Sequence, residues 1–202
     1  MNTDEIWKKA LHVWKVGSTE LACLESTVDR GAFVRLVETI GKSKGRTAVA
    51  GVGTSGAAAK KIAHSLCCIE RPAYFLSPGD AVHGALGAVQ EGDVVILISK
   101  GGGTKEITNL IPSLKAKKAF IVGVTEKEGS VLGTSCDLLL KIKIGKEADE
   151  FNMLATTSTM AVIAAFDAVC IALMSYTKYT REQFAIIHPS GAVGERLLSG
   201  KE

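Results

Sequence analysis

The chain has 202 residues, of which 47% are hydrophobic and 22% charged, with a formal net charge of +3. That length suits one sizeable α/β domain with its own core. The near balance of charge excludes a strongly basic nucleic-acid face and an acidic tail, so the expected partner is a small molecule and not a nucleic acid.

The N-terminal Met1-Asn-Thr-Asp-Glu-Ile-Trp7 lacks the regions of a signal peptide, and no run is expected to reach the ~18 apolar residues of a membrane span. A cytoplasmic protein with no membrane partner is the expectation. The five cysteines, Cys23, Cys67, Cys68, Cys136 and Cys170, have no metal-type spacing and read as buried, reduced thiols.

In chain order, residues 3–40 show helical spacing, with Ile6, Ala10 and Val13 on one stripe and Leu21, Leu24 and Val28 on another, and Gly17 and Gly31 as candidate breaks. Residues 1–44 are predicted to be an N-terminal helical segment that packs on the domain or on a neighbouring subunit. Residues 45–202 are predicted to be the ligand-binding domain of a single-domain chain. Apolar, β-branched runs at 47–52, 73–76, 94–98, 120–124 and 138–142 alternate with helical patterns. Strands buried on both faces and joined by helices imply right-handed crossovers, hence a three-layer αβα sandwich around a five-stranded parallel sheet. Residues 157–176 form a helix with almost no polar face, which must be buried in the core or between subunits. The segment 181–198 carries a second helix and the sequence His188-Pro-Ser-Gly-Ala-Val-Gly194.

Two glycine-rich loops follow strands. After the third predicted strand come Ser99-Lys100-Gly101-Gly102-Gly103-Thr104 and an amphipathic helix beginning near Glu106. Glycines admit a ligand to the backbone, N–H groups at the helix start face negative charge, Ser99 and Thr104 add hydroxyls, and Lys100 and Lys105 add charge. The bland alternative is a plain turn capped by Thr104. After the first strand come Gly51-Val52-Gly53-Thr54-Ser55-Gly56. Its spacing departs from the dinucleotide fingerprint, and no ribose-binding acid follows the next strand. Ligands in open parallel sheets sit outside the carboxyl ends of the strands, so both loops are predicted to face one crevice suited to a polyol phosphate.

A strand, GxGxSG and a helix, followed by a strand, Ile-Ser, a glycine-rich turn, Thr and a helix, resemble the sugar isomerase (SIS) domain. His83-Gly84-Ala85-Leu86-Gly87, Lys146-Glu147-Ala148, Thr157-Ser158-Thr159 and the His188 motif stand in the order seen in the arabinose-5-phosphate isomerase family. The resemblance implies an aldose–ketose isomerase working through an enediol, without a cofactor, as a homotetramer or dimer. Many members carry nucleotide-sensing CBS modules beyond this point; none is expected within these residues.

The resemblance also implies site roles. Glu147 would be the base and Glu106 would hold a hydroxyl or share the proton transfer. His188 and His83 would open the ring or shuttle a proton, His188 from a neighbouring subunit. Gly53, Thr54, Ser55, Ser99, Lys100, Gly101, Gly102, Thr104, Thr157 and Ser158 would bind the sugar phosphate. No metal is implied.

Duller readings stay open. The glutamates would be solvated charges, His188 a helix terminator, His83 a core histidine, and the 156–159 hydroxyl run an N-cap cluster, a ligand wall or both.

The chain departs from the family at several places. Thr54 stands in place of a lysine, Lys100 of an asparagine, Gly101 of a serine, Gly103 of a glutamate and Ala85 of an aspartate. These changes point to a shifted substrate, with Lys100 taking over part of the missing cation's role. They also keep open a non-catalytic sugar-phosphate sensor and, less favoured, a sugar-phosphate lyase or etherase.

Overall fold

All five apolar runs become strands of one sheet in the computed structural model, which describes residues 2–189. They are β1 (Thr47–Gly51), β2 (Ala73–Phe75), β3 (Val94–Ile98), β4 (Phe120–Thr125) and β5 (Leu138–Lys141), in the order β2-β1-β3-β4-β5. Every pairing is parallel, with Thr47 opposite Val94 and Val94 opposite Phe120 at the amino edge. The two central strands β1 and β3 are buried along their whole length. This is why they read as continuous apolar runs and not as alternating ones.

Alternate residues feed two cores. Val49, Ile96, Ile98, Val122 and Leu140 face one side, and Ala48, Ala50, Val95, Leu97 and Ile121 the other. On the first side lie α3 (Arg30–Lys42), α4 (Thr54–Cys67) and α9 (Thr157–Thr177), which bring in Leu36, Ile62 and Phe166. On the second lie α6 (Lys105–Thr108), α7 (Ile111–Ala116) and α8 (Val131–Ser135), with Ile107, Leu114 and Leu132. A one-turn helix α5 (Pro78–Ala81) and a 3-10 turn (Ala85–Ala88) connect β2 to β3. The three-layer parallel α/β architecture expected from the sequence is therefore present.

The N-terminal region departs from expectation at its glycines. Helix α1 (Thr3–Ala22) runs straight through Gly17, which is buried against α9. A side chain there would meet Met160 Cε at 3.0 Å, so the glycine permits close helix packing and does not break the helix. Gly31 lies inside α3. After the short α2 (Leu24–Thr27) the interruption falls at Val28 and Asp29, where extended Val28 ends one helix and Asp29 caps the next by accepting the Ala32 N–H at 2.7 Å. The segment packs on the rest of the chain. Glu20 accepts the Gly145 N–H at 2.6 Å, Lys9 pairs with Glu150, and α3 shares the core of the sheet.

Contrary to the sequence expectation, α9 is long and apolar enough to cross a membrane by length and composition. It packs against α1, α3 and α4, with Ala161, Ala165, Phe166, Val169 and Leu173 buried. The cysteines are all free, as expected, but only Cys170 is buried. Cys23 and Cys67, at or beside helix C-termini, are exposed, and Cys68 and Cys136 are half-buried. The last described helix is α10 (Arg181–Ile187). The residues of the His188 motif after Pro189 lie outside the described part of the chain.

Candidate active site

From β1 the chain passes to β2 on one side, and from β3 it passes to β4 on the other, so the carboxyl ends of β1 and β3 flank the topological switch point. At the end of β1, two glycines bring α4 hard against the strand. A side chain at Gly51 would stand 2.5 Å from the Ser55 carbonyl oxygen, and one at Gly56 2.9 Å from that of Gly51. Gly53 makes the turn at φ 59°, in the left-handed region that other residues enter at a cost. Helix α4 starts without a side-chain cap. Gly56 and Ala57 donate back to Val52 and Gly53, while the N–H groups of Thr54 and Ser55 have no partner among the described residues.

The loop after β3 is fastened from within. The Ser99 hydroxyl accepts the Gly102 N–H at 3.1 Å and shares a 2.8 Å hydrogen bond with the Thr104 hydroxyl. Ser99 is buried and its hydroxyl holds the loop's shape, while the shared bond uses only one of the two hydroxyl protons. Thr104 does not cap the next helix by its side chain. That helix is a single turn, followed after Asn109 and Leu110 by α7 with Pro112 in its first turn, so its dipole adds little and the donors of the loop are its backbone N–H groups. Gly101 and Gly103 are exposed, with open space where a side chain would be.

Gly102 is the position where glycine is required. Its φ is +68°, and a Cβ would overlap the Ser130 hydroxyl and stand 2.9 Å from Thr125 Oγ1. Gly102→Ala is expected to cost about 2–3 kcal/mol, seen as a lower urea midpoint at unchanged slope.

The centre of the site is an ion pair. Lys100 is anchored through its carbonyl, which accepts the Thr125 hydroxyl at 2.9 Å and the Glu126 N–H at 3.0 Å, and its Nζ donates to Glu147 Oε1 at 2.6 Å. Glu147 is 2% exposed. Its Oε2 accepts the N–H groups of Thr156 and Ser158 at 3.0 and 3.1 Å and the Thr156 hydroxyl at 3.3 Å, and the Ser158 hydroxyl donates to Oε1. Glu147 is thereby the cap of α9, occupying the place that a Thr156 side-chain cap would take. Burial pushes its pKa up, but hydrogen bonds from Lys100 and Ser158 outweigh burial and hold the carboxyl down at about 2.

A depressed pKa stabilises the fold above the ordinary carboxylate value of 4.5, and that contribution is lost as pH falls from there towards about 2. Acid unfolding in that window is expected to remove about 2 kcal/mol, discounted because water reaches the half-exposed Lys100. Glu126 opposes this in part. Its pKa is raised by burial, with Lys100 pulling the other way, so its protonation favours the folded state.

Thr54, Ser55, Lys100 and Ser158 line one cavity together with Thr125, Glu126, Ile144 and Thr159. The cavity measures about 80 Å³ and is open to solvent, so a ligand bound there can extend outwards between the two loops. The four predicted residues are brought together, and Glu147 lies behind them on Lys100 and Ser158.

The other predicted residues do not line this cavity. Gly53 is exposed at the start of α4. Thr157 is fully buried with its hydroxyl unpaired, so Ser158 and not Thr157 forms the wall. Glu106 and His83 are exposed, on or just after the short helices α6 and α5, which pack on each other, and neither lines the cavity. His188 ends α10, its ring stacked on Phe184 at 3.9 Å and its Nδ1 2.9 Å from the Phe184 carbonyl oxygen. Helix α10 holds to Glu70 beyond the C-terminus of α4, at the far end of α9, a helix about 30 Å long. Within one chain His188 does not reach Glu147.

Sequence reasoning missed Glu126, which carries no motif. The available signal was its place, directly after a parallel strand at the edge where ligands bind.

The fold is thus a doubly wound parallel sheet with two glycine-rich loops and a paired lysine–carboxylate at its switch point. The matching family model, SIS domain, covers residues 40–172, and the chain belongs to the SIS domain family. It is 36% identical over 191 residues to arabinose 5-phosphate isomerase KdsD of Yersinia pestis, which covers 95% of this chain and 57% of the relative. It is 38% identical over 167 residues to arabinose 5-phosphate isomerase GutQ of Escherichia coli K12, which covers 83% and 52% respectively. The chain thus spans about half the length of the curated relatives it matches.

Among solved structures, a Listeria monocytogenes protein described provisionally as a sugar-phosphate isomerase superposes with a TM-score of 0.93 at 49% identity, over 94% of this chain and 100% of that one. An Escherichia coli CFT073 protein in complex with arabinose 5-phosphate superposes with a TM-score of 0.89 at 33% identity, again over 94% and 100%.

Proposed function

We propose that the chain is a sugar-phosphate aldose–ketose isomerase that passes through an enediol, of the kind that interconverts arabinose 5-phosphate and its ketose. The observation that carries this is Lys100, held by Glu147 at 2.6 Å, on the wall of a cavity also lined by Thr54 and Ser55. A lysine held at the reacting end of a sugar is what a developing enediolate requires, and the curated relatives are arabinose 5-phosphate isomerases. The phosphate rests on the free N–H groups of Thr54, Ser55, Gly101, Gly103 and Thr104, away from the Lys100–Glu147 pair. In this reading Lys100 supplies the cation that Thr54 does not. Glu147, whose oxygens are already engaged, orients Lys100.

The enzyme is soluble and cytoplasmic, needs no cofactor, and works as a homotetramer or dimer. Helix α1 presents Ile6, Trp7, Leu11 and Trp14 outwards and α9 presents Ile171, apolar surface suited to a second copy. His188, far from the cavity of its own chain, would open the sugar ring in a neighbour's.

Proton NMR of pentose and hexose 5- and 6-phosphates in D2O tests the reading. Loss of the C1 or C2 proton signal of one of them on addition of protein is expected. Tight binding without exchange would favour the sensor instead, a reading that rests on Thr54.

A further inference from the structure

Two carboxylates flank the Lys100 ammonium, and only one is free to move a proton. Glu147 is enclosed by donors from Lys100, Thr156 and Ser158 and is sealed from solvent, so neither oxygen has a lone pair to offer a substrate. Glu126 is the first residue after β4 and lines the cavity. Its side chain keeps 19% exposure, and among the described residues Lys100, 3.9 Å away, and the Ile144 backbone hold it. Its main chain is fixed by the 3.0 Å hydrogen bond to the Lys100 carbonyl, so the carboxylate hangs from a rigid base.

Resting on the isomerase reading, we infer that Glu126 is the proton-transfer group of the reaction, and that Lys100, steered by Glu147, neutralises the enediolate it creates. From aldose to ketose, the Glu126 carboxylate takes the proton from C2. The C–H pair becomes the C1=C2 bond as the carbonyl electrons move to O1. Glu126, now a carboxylic acid, returns the proton to C1 while electrons flow back from O2, whose proton passes to O1. One hydrogen has moved from C2 to C1 and one from O2 to O1, with no oxidant or reductant consumed.

The charged groups facing Glu126 are Lys100 from the β3 loop, Glu147 from the loop before α9 and Lys143 after β5; α4 contributes only the neutral Thr54, Ser55 and Ala58 to the cavity. Burial leads these influences and raises the carboxyl's affinity for a proton, which suits a base that must also give the proton back.

The test compares the wild-type chain, Glu126→Gln and Glu126→Asp with arabinose 5-phosphate as probe. It reads kcat, KM, C2 exchange in D2O and the pH profile of kcat/KM. For Glu126→Gln the expected result is a fall in kcat of about 100-fold or more with KM nearly unchanged, no C2 exchange, and loss of the acid limb of the profile. Glu126→Asp should keep that limb at reduced rate. A smaller fall in Glu126→Gln, or an acid limb that survives in it, overturns the assignment. A wild type that exchanges no C2 proton would instead remove the isomerase reading, and this assignment with it.

Discussion

Replacing Lys100 by methionine is expected to lower the unfolding free energy by about 2 kcal/mol and to reduce turnover by about 100-fold or more. Methionine preserves the length of the stem but leaves Glu147 a buried anion without its counter-ion. Breaking a fully buried pair costs about 3–5 kcal/mol. Here the donors from Thr156 and Ser158 remain, and the lysine side chain is 42% exposed, so the effect is smaller. Without the ammonium the Glu147 pKa must rise, because burial, the largest influence on it, then has less opposing it. The acid-unfolding window should therefore narrow. Urea titration at pH 7 and pH 4 reads both consequences, and a midpoint unchanged at both would show that the pair does not hold the site.

Glu147→Gln should be as damaging for the opposite reason, with a loss of about 2–3 kcal/mol. The amide oxygen can still accept the N–H groups of Thr156 and Ser158, but the amide nitrogen then faces the Lys100 ammonium and the Ser158 hydroxyl, a meeting of donors. Helix α9 also loses the negative charge at its N-terminus. Lys100, released, has Glu126 as its remaining anionic partner and closes the present 3.9 Å gap, which drives the Glu126 pKa down. The acid limb of the rate profile should move to lower pH, and kcat should fall because the cation no longer sits where the enediolate forms. Combined with Lys100→Met, the two losses should be less than additive, with a coupling of about 1–3 kcal/mol. Full additivity would mean that the two side chains do not act as a pair.

The sheet was legible because parallel strands covered on both faces have no polar side to disguise them: Val94 to Ile98 reads the same in sequence and in space. The glycines of the N-terminal region misled because their use is tertiary. Gly17 is explained only by Met160, far away in the chain. Ser99 and Thr104 were recognisable as loop hydroxyls, yet nothing in their spacing shows that they bond to each other. The pairing of Lys100 with Glu147 joins the end of β3 to the loop before α9, a distance in sequence that no local pattern spans. Glu126 was hidden by attention to motifs, although its position after β4 was already visible in the strand pattern.

If the turns at Thr54 and at Gly101–Thr104 share one phosphosugar, backbone amide NMR during titration with arabinose 5-phosphate will show it. Saturable shifts are expected at Thr54, Ser55, Gly101, Gly103 and Thr104 with a common affinity, accompanied by Ser158. Shifts confined to one turn, or to residues outside this crevice, would contradict a shared ligand.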